Sequence, residues 1–264
     1  MHRPALLAFV LALDALAGFG TARATETEDP ALRCLRSNLP KKSSVQTVRF
    51  VTRDRLGNEA ILRARVLGKV FEDGFRRVLS RFYAPDDIRG SALLVIEKSD
   101  RNDVFLYSSA MRRTRRVSAR AAGSSLFGTD FSYEDFERLQ GLRDAGLTER
   151  RPDRELDGRS VWVVETRPAE PGESAYERVV TFIDPETCVV LRAESYEAGD
   201  RLRKRLSVER AKVYSRGGIW ICPETSMRDL RDGTETRLYI EEIEIDPPLS
   251  DKRFRQAELD RGRN

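Results

Sequence analysis

Past residue 40 the apolar positions fall into period two. Leu62, Ala64, Val66 and Val70 alternate with Arg63, Arg65 and Lys69 across residues 60–71, as in an antiparallel strand with one face buried. Comparable runs at 45–53, 75–84, 92–97, 104–107 and 113–118 are separated by turn signals such as Glu72-Asp-Gly74 and Ser99-Asp-Arg-Asn102. Further strands are predicted at 147–155, 160–167, 177–184, 188–196, 202–214, 219–229 and 235–246. In the last of these the apolar phase slips from Leu238/Ile240 to Ile243/Ile245, which predicts a β-bulge. Two stretches depart from the rhythm. Leu32, Leu35 and Leu39 have helical spacing and end at Pro40. Phe131–Leu139 reads as a second helix, with Ser132 as N-cap, Asp135 closing a capping box and Phe136, Leu139 and Leu142 as its apolar stripe.

About a dozen strands in one meander exceed what an open sheet carries without curling. The expected fold is mainly β: an incomplete, half-open antiparallel barrel, with an N-terminal helix and a central helix acting as lid. A β-sandwich is the second choice. Residues 1–24, with the apolar run Ala5–Leu13 and Ala22-Arg-Ala24, read as a signal peptide, and residues 25–264 as one domain. Export of this kind carries the protein out of the cytoplasm. The only histidine, His2, lies in the leader, so the remaining chain has none for a Ser-His-Asp or Cys-His system. No metal site and no cofactor are expected.

The 264 residues carry 47 Lys+Arg against 43 Asp+Glu, interspersed rather than blocked. That pattern does not suggest a nucleic-acid partner. The most basic run, Arg112, Arg113, Arg115 and Arg116, reads equally as a site for an anionic headgroup or acidic partner and as a solvated strand edge. Cys34, Cys188 and Cys222 allow one bridge in an oxidising compartment. Cys34–Cys188 is the favoured pairing, with Cys222 as a buried thiol.

Leu93-Leu-Val-Ile96 and Val104-Phe-Leu-Tyr107 are apolar on both faces, so one face must meet a lid helix or a ligand. Candidate ligand contacts are Leu94, Ile96, Phe105 and Tyr107 on these strands, and Leu126, Phe127, Phe131, Tyr133 and Phe136 on the lid. Gly128, Thr129, Asp130, Ser132 and Asp135 form a turn-and-cap motif between them. A second reading makes Asp130, Glu134 and Asp135 acid/base groups of an envelope hydrolase. Adjacent positions 134 and 135 on a helix point apart, which favours capping.

These residues resemble the outer-membrane lipoprotein-sorting proteins, the LolA-like superfamily of periplasmic carriers. The resemblance covers most of residues 25–264. It is carried by Arg89-Gly-Ser-Ala-Leu-Leu94, by Leu106-Tyr107 leading to Arg112-Arg-Thr-Arg-Arg-Val117, and by Gly123-Ser-Ser-Leu-Phe-Gly-Thr-Asp-Phe-Ser-Tyr-Glu-Asp135. Trp220-Ile-Cys-Pro223 and Met227-Arg-Asp-Leu230 add weaker support, and Ser108-Ser109 stands where the family commonly has a proline after the Leu-Tyr element. The resemblance implies a lidded apolar cavity for acyl chains, transport of lipid or lipoprotein towards the outer membrane, a monomer, no enzymatic activity, and an inner-membrane exporter of the resistance-nodulation-division (RND) type as partner. A sensing or binding module for a protein partner on the same scaffold is the alternative.

Overall fold

The computed structural model describes residues 29–142 and 146–260; the leader expected at 1–24 lies outside them. Helix α1 (Pro30–Ser37) opens this part of the chain, with Asp29 accepting from the Ala31 backbone N–H. Six strands follow: β1 (Ser43–Arg53), β2 (Glu59–Val70), β3 (Arg76–Ala84), β4 (Ala92–Ile96), β5 (Asp103–Ser108) and β6 (Arg113–Arg116). Helix α2 (Tyr133–Leu139) precedes β7 (Leu147–Leu156), β8 (Arg159–Arg167), β9 (Arg178–Ile183), β10 (Val190–Glu197) and β11 (Arg201–Ser207). The described residues close with β12 (Tyr214–Arg216), β13 (Ile219–Ile221), β14 (Glu224–Asp229) and β15 (Thr234–Ile245), then two short 3₁₀ turns.

Thirteen strands form one antiparallel sheet in the order β6-β5-β4-β3-β2-β1-β15-β14-β11-β10-β9-β8-β7, while β12 and β13 form a separate hairpin. β6 and β7 are unjoined edges, so the sheet is not closed. The slip expected in the last strand appears as a register shift of β15 against β1 at Thr47/Val48. Two predicted strands are divided. Residues 202–214 become β11, a 3₁₀ turn and the start of β12, and residues 219–229 become β13 and β14 around Pro223, which cannot donate to a ladder. Cys188 sits in the turn before β10 rather than in the strand, with φ 59°. In the mostly charged stretch 251–260, Phe254 and Leu259 are fully buried.

Directly opposed residues of an antiparallel ladder share a face. The partners Val164–Thr181–Ala193–Leu206–Met227–Thr236 trace one face from β8 to β15, and Leu238–Phe50–Leu62, then Ala64–Phe82 and Val78–Val95–Val104, continue it to β5. α2 packs on this inner face: Phe131, Tyr133 and Phe136 join a buried cluster with Val48, Phe50, Leu93, Val95, Val104, Leu106, Met227 and Leu238. α1 rests on the same face at Val164 and Ile183. At the end of α2, Gly141 has φ 65° and lies so close to Leu39 that a Cβ would sit 2.7 Å from its side chain, so the two helices meet.

The span of α2 shows how far the sheet curls. Its seven residues cover about 10 Å. Glu137 nevertheless accepts from Asn102, just before β5, while Asp135 is bonded to Lys204 on β11. In a flat sheet β5 and β11, seven strand spacings apart in this order, would be about 33 Å from each other.

Candidate functional site

The segment from Val117 to Leu142 occupies the concavity. Ser132 accepts from the Asp135 N–H while Asp135 accepts from the Ser132 N–H, a reciprocal cap that starts α2 at this point. Phe131 is fully buried, its ring edge-on to Phe50 at 5.7 Å. Leu126 is also fully buried, and Phe127 packs against Phe82 at 4.6 Å between centroids. Phe127 takes left-handed backbone with φ 49° next to Gly128 at φ 81°, a conformation costly for an aromatic residue and free for glycine.

Polar groups hold this apolar segment in place. Asp130 accepts from the hydroxyls of Thr234 and Thr236 on β15, and its own N–H donates to Thr236. Glu134 accepts from Ser174 Oγ at 2.9 Å and from the Ala175 N–H at 3.2 Å, in the β8–β9 connection. Asp135 accepts from Lys204 Nζ at 3.0 Å and from the Tyr176 hydroxyl at 3.0 Å. The Asp135–Lys204 pair is sealed, with side-chain exposures of 5% and 8%.

The three carboxyls respond differently to this setting. Burial pushes Asp135 up, but Lys204, the Ser132 N–H and Arg138 outweigh it and hold the group below the ordinary carboxylate range. Burial dominates at Glu134 and Asp130 and raises both, against Arg138 at the first and the two threonine hydroxyls at the second. The signs are therefore opposed. Asp135 stabilises the folded chain above the ordinary value of 3.8 and loses that contribution as pH falls further. Glu134 costs stability while charged, and the cost disappears as pH falls through its raised value towards 4.5. Glu134→Gln should accordingly raise the melting temperature at pH 7 and reduce the gain on moving to pH 5. An unchanged pH profile would show that Glu134 is not charged against its surroundings.

The structure does not bring all the sequence-derived ligand contacts together. Leu126, Phe127, Phe131, Tyr133 and Phe136 gather on the inner face. Leu94, Ile96, Phe105 and Tyr107 instead face outwards, where Phe254 and Leu259 of the C-terminal turns cover them. Successive strand residues point to opposite faces, so the lid rests on their neighbours Leu93, Val95, Val104 and Leu106. A strand apolar on both faces gives no parity signal, and Phe254 and Leu259 each stand singly between charged neighbours.

The apolar hollow expected from the sequence is filled by the lid itself. Of the cavities beside the lid, one of about 400 Å³ is polar, lined by Asp130, Lys204, Arg203, Asp229 and Thr234 among others. A second, of about 100 Å³, lies between Val104, Val117, Glu134 and Leu142. Asp130 and Glu134 are engaged with separate elements, β15 and the β8–β9 connection, so they do not face each other as an acid/base pair.

Sequence reasoning missed Lys204, Tyr176, Ser174, Thr234 and Thr236. Lys204 had a usable signal: period two puts it on the same face as Leu206, although a register shift at Ser195/Tyr196 turns Leu202 to the other face. Nothing local marks Tyr176 or Ser174, which lie between strands.

Cys34 and Cys188 are bonded, with Cα atoms 5.1 Å apart, and tie α1 to the β9–β10 turn. Cys222 is a free thiol that burial pushes up to about 12. It is half-buried, so a thiol reagent at neutral pH should label it slowly, and faster on unfolding. Rapid labelling of the native protein would contradict this burial.

A curled, unclosed sheet with a helical segment across its concave face is the LolA-like fold. The structure is similar to a putative outer membrane lipoprotein-sorting protein domain from Vibrio parahaemolyticus (21% identity, TM-score 0.78, covering 88% of this chain and 97% of the other). It is similar as well to a DUF1329 family protein from Desulfovibrio piger (25% identity, TM-score 0.79, 88% and 96%) and to a LolA superfamily protein from Nitrosomonas europaea (19% identity, TM-score 0.67, 86% and 98%). The resemblance read from the sequence thus holds at the level of the fold. A family model described as "Uncharacterized protein" matches residues 74–261, and the chain belongs to that family. No curated protein matches the sequence.

Proposed function

We propose that the protein is a periplasmic carrier, without enzymatic activity, that takes up acyl chains of a lipid or lipoprotein on the inner face now covered by residues 117–142. The observation that carries this reading is the composition of the lid: an apolar stopper on an apolar face, retained by a few polar contacts to β15, β11 and the β8–β9 connection. The names of the structural neighbours, a lipoprotein-sorting protein domain and a LolA superfamily protein, support the same direction. Delivery towards the outer membrane, with an RND-type exporter as donor, completes the proposal.

The energetics suit reversible loading. Burying a 14-carbon chain is worth roughly 10 kcal/mol at 0.8 kcal/mol per CH₂. Withdrawing Leu126, Phe127, Phe131, Tyr133 and Phe136 costs about 10 kcal/mol at about 2 kcal/mol per large apolar side chain. The exchange of lid for cargo is therefore close to balanced, and a carrier must release what it binds. Inner-face contacts for the chain are assigned to Leu93, Val95, Val104 and Leu106, with the five lid residues moving aside.

Native mass spectrometry of gently purified protein, followed by titration of the delipidated form with a fluorescent fatty acid, tests the reading. Co-purified lipid or saturable one-to-one uptake is expected. A lipid-free protein that takes up no probe would contradict it. Turnover of an envelope polymer lost in Asp130→Asn would favour a hydrolase instead.

A further inference from the structure

From Val104 to Thr129 the chain has no acidic residue and five arginines, Arg112, Arg113, Arg115, Arg116 and Arg120. Elsewhere acids and bases alternate and most arginines are paired. Arg116 is held by Asp103, whereas Arg112, Arg113, Arg115 and Arg120 are exposed and have no acidic partner among the described residues. The other edge of the sheet is built differently. β7 carries a register break at Arg151/Arg154 and pairs two of its three arginines, Arg150 with Asp153 and Arg151 with Glu149, leaving Arg154 exposed. Mixed, paired charge and a bulge are sufficient to deter edge-to-edge association, so deterrence does not require β6 to be uniformly positive.

Register places two of the free arginines. Arg115 is opposite Leu106 and Arg113 is opposite Ser108, and Leu106 lies in the inner cluster under the lid. Both guanidinium groups therefore project from the lid-side face of the edge strand, at its rim. Arg115 stands near enough to Tyr133, the first residue of α2, to oppose the effect of burial on its phenol. The rim is thus contiguous with the lid that covers the apolar face.

We propose that Arg113 and Arg115 form an anion-binding rim and that the cargo is an anionic amphiphile, its acyl chain on the inner face and its headgroup charge at β6. The proposal rests on the carrier reading and adds a headgroup class to it. Guanidinium groups bind phosphate or carboxylate oxygens in a bidentate manner. At a solvent-exposed rim each contact is worth little on its own and is screened by salt.

The test uses delipidated protein and monomeric probes sharing one fluorescent acyl chain: phosphatidylglycerol, free fatty acid, zwitterionic phosphatidylcholine and uncharged monoacylglycerol. Preference for the anionic probes by about five- to tenfold is expected at low salt, shrinking as salt is raised. A phosphatidylglycerol preference over fatty acid would identify a phosphate headgroup, and the reverse a carboxylate; either supports the anionic rim. Arg113→Gln/Arg115→Gln should abolish the preference while keeping uptake of the uncharged probe, and Arg113→Lys/Arg115→Lys should retain most of it. Unchanged melting curves would show that both variants fold. Uptake indifferent to charge, preference surviving the Gln pair, or binding only to anionic vesicles without uptake of monomers would overturn the proposal. Uptake of the uncharged probe alone would overturn it and leave the carrier reading standing, whereas uptake of no probe would defeat both.

Discussion

Replacing Lys204 by Met should lower the melting temperature by about 10 °C at neutral pH. Lys204 donates to Asp135 at 3.0 Å in a sealed environment, and removing one partner of a buried pair costs about 3–5 kcal/mol because the other charge is left uncompensated. For a chain of this size each kcal/mol moves the transition by about 2–4 °C. The pH dependence should also change. In the native protein Asp135 is held below its ordinary value, so its stabilising contribution is lost only below about pH 4. Without Lys204, only the Ser132 N–H and Arg138 still oppose burial, so the carboxyl rises, and the deficit is largest at neutral pH and shrinks as pH falls. Adding Asp135→Asn should restore much of the stability, since the amide keeps the cap and needs no counter-charge. A single variant that melts like the native protein would remove Lys204 as the group retaining the lid.

Opening the Cys34–Cys188 bridge should have an effect of similar or greater size. The cysteines are 154 positions apart, and the chain-entropy model gives about 5 kcal/mol for a loop of that length. α1, with eight residues, is too short to persist alone, so its position on Val164 and Ile183 depends on this tie and on contacts such as the Asn38 amide with the Trp220 backbone. Cys34→Ser/Cys188→Ser should melt well below the native protein, and the native protein should fall to the same value when reduced. Equal melting temperatures with and without reductant would contradict the tie.

The strands and their turns were legible because period two survives wherever one face is wet: Leu62, Ala64 and Val66 alternate with arginines and point inwards as the pattern requires. α2 was legible from its cap, since Ser132 and Asp135 write the start of the helix locally. The bulge in β15 could be read for the same reason, as a one-residue shift of an otherwise regular row. The site was legible only in part. Leu94 and Tyr107 lie in strands apolar on both sides, so their direction depends on register with β3 and β6 rather than on pattern. Lys204 and Tyr176 meet Asp135 across 69 and 41 positions, a distance over which no local spacing informs. The breaks at Pro223 and at residues 208–213 followed from backbone limits that an apolar row alone does not reveal.

Photo-crosslinking with a diazirine-bearing fatty acid, followed by peptide mapping, asks directly whether hydrocarbon lies where the lid now packs. Label is expected on the inner-face residues of β1, β4 and β5, around Phe50, Val95 and Leu106, and on the lid around Phe131, with labelling increased in Lys204→Met. Label confined to the outer face at Leu94, Tyr107 and Phe254, or saturable label nowhere on the chain, would contradict it.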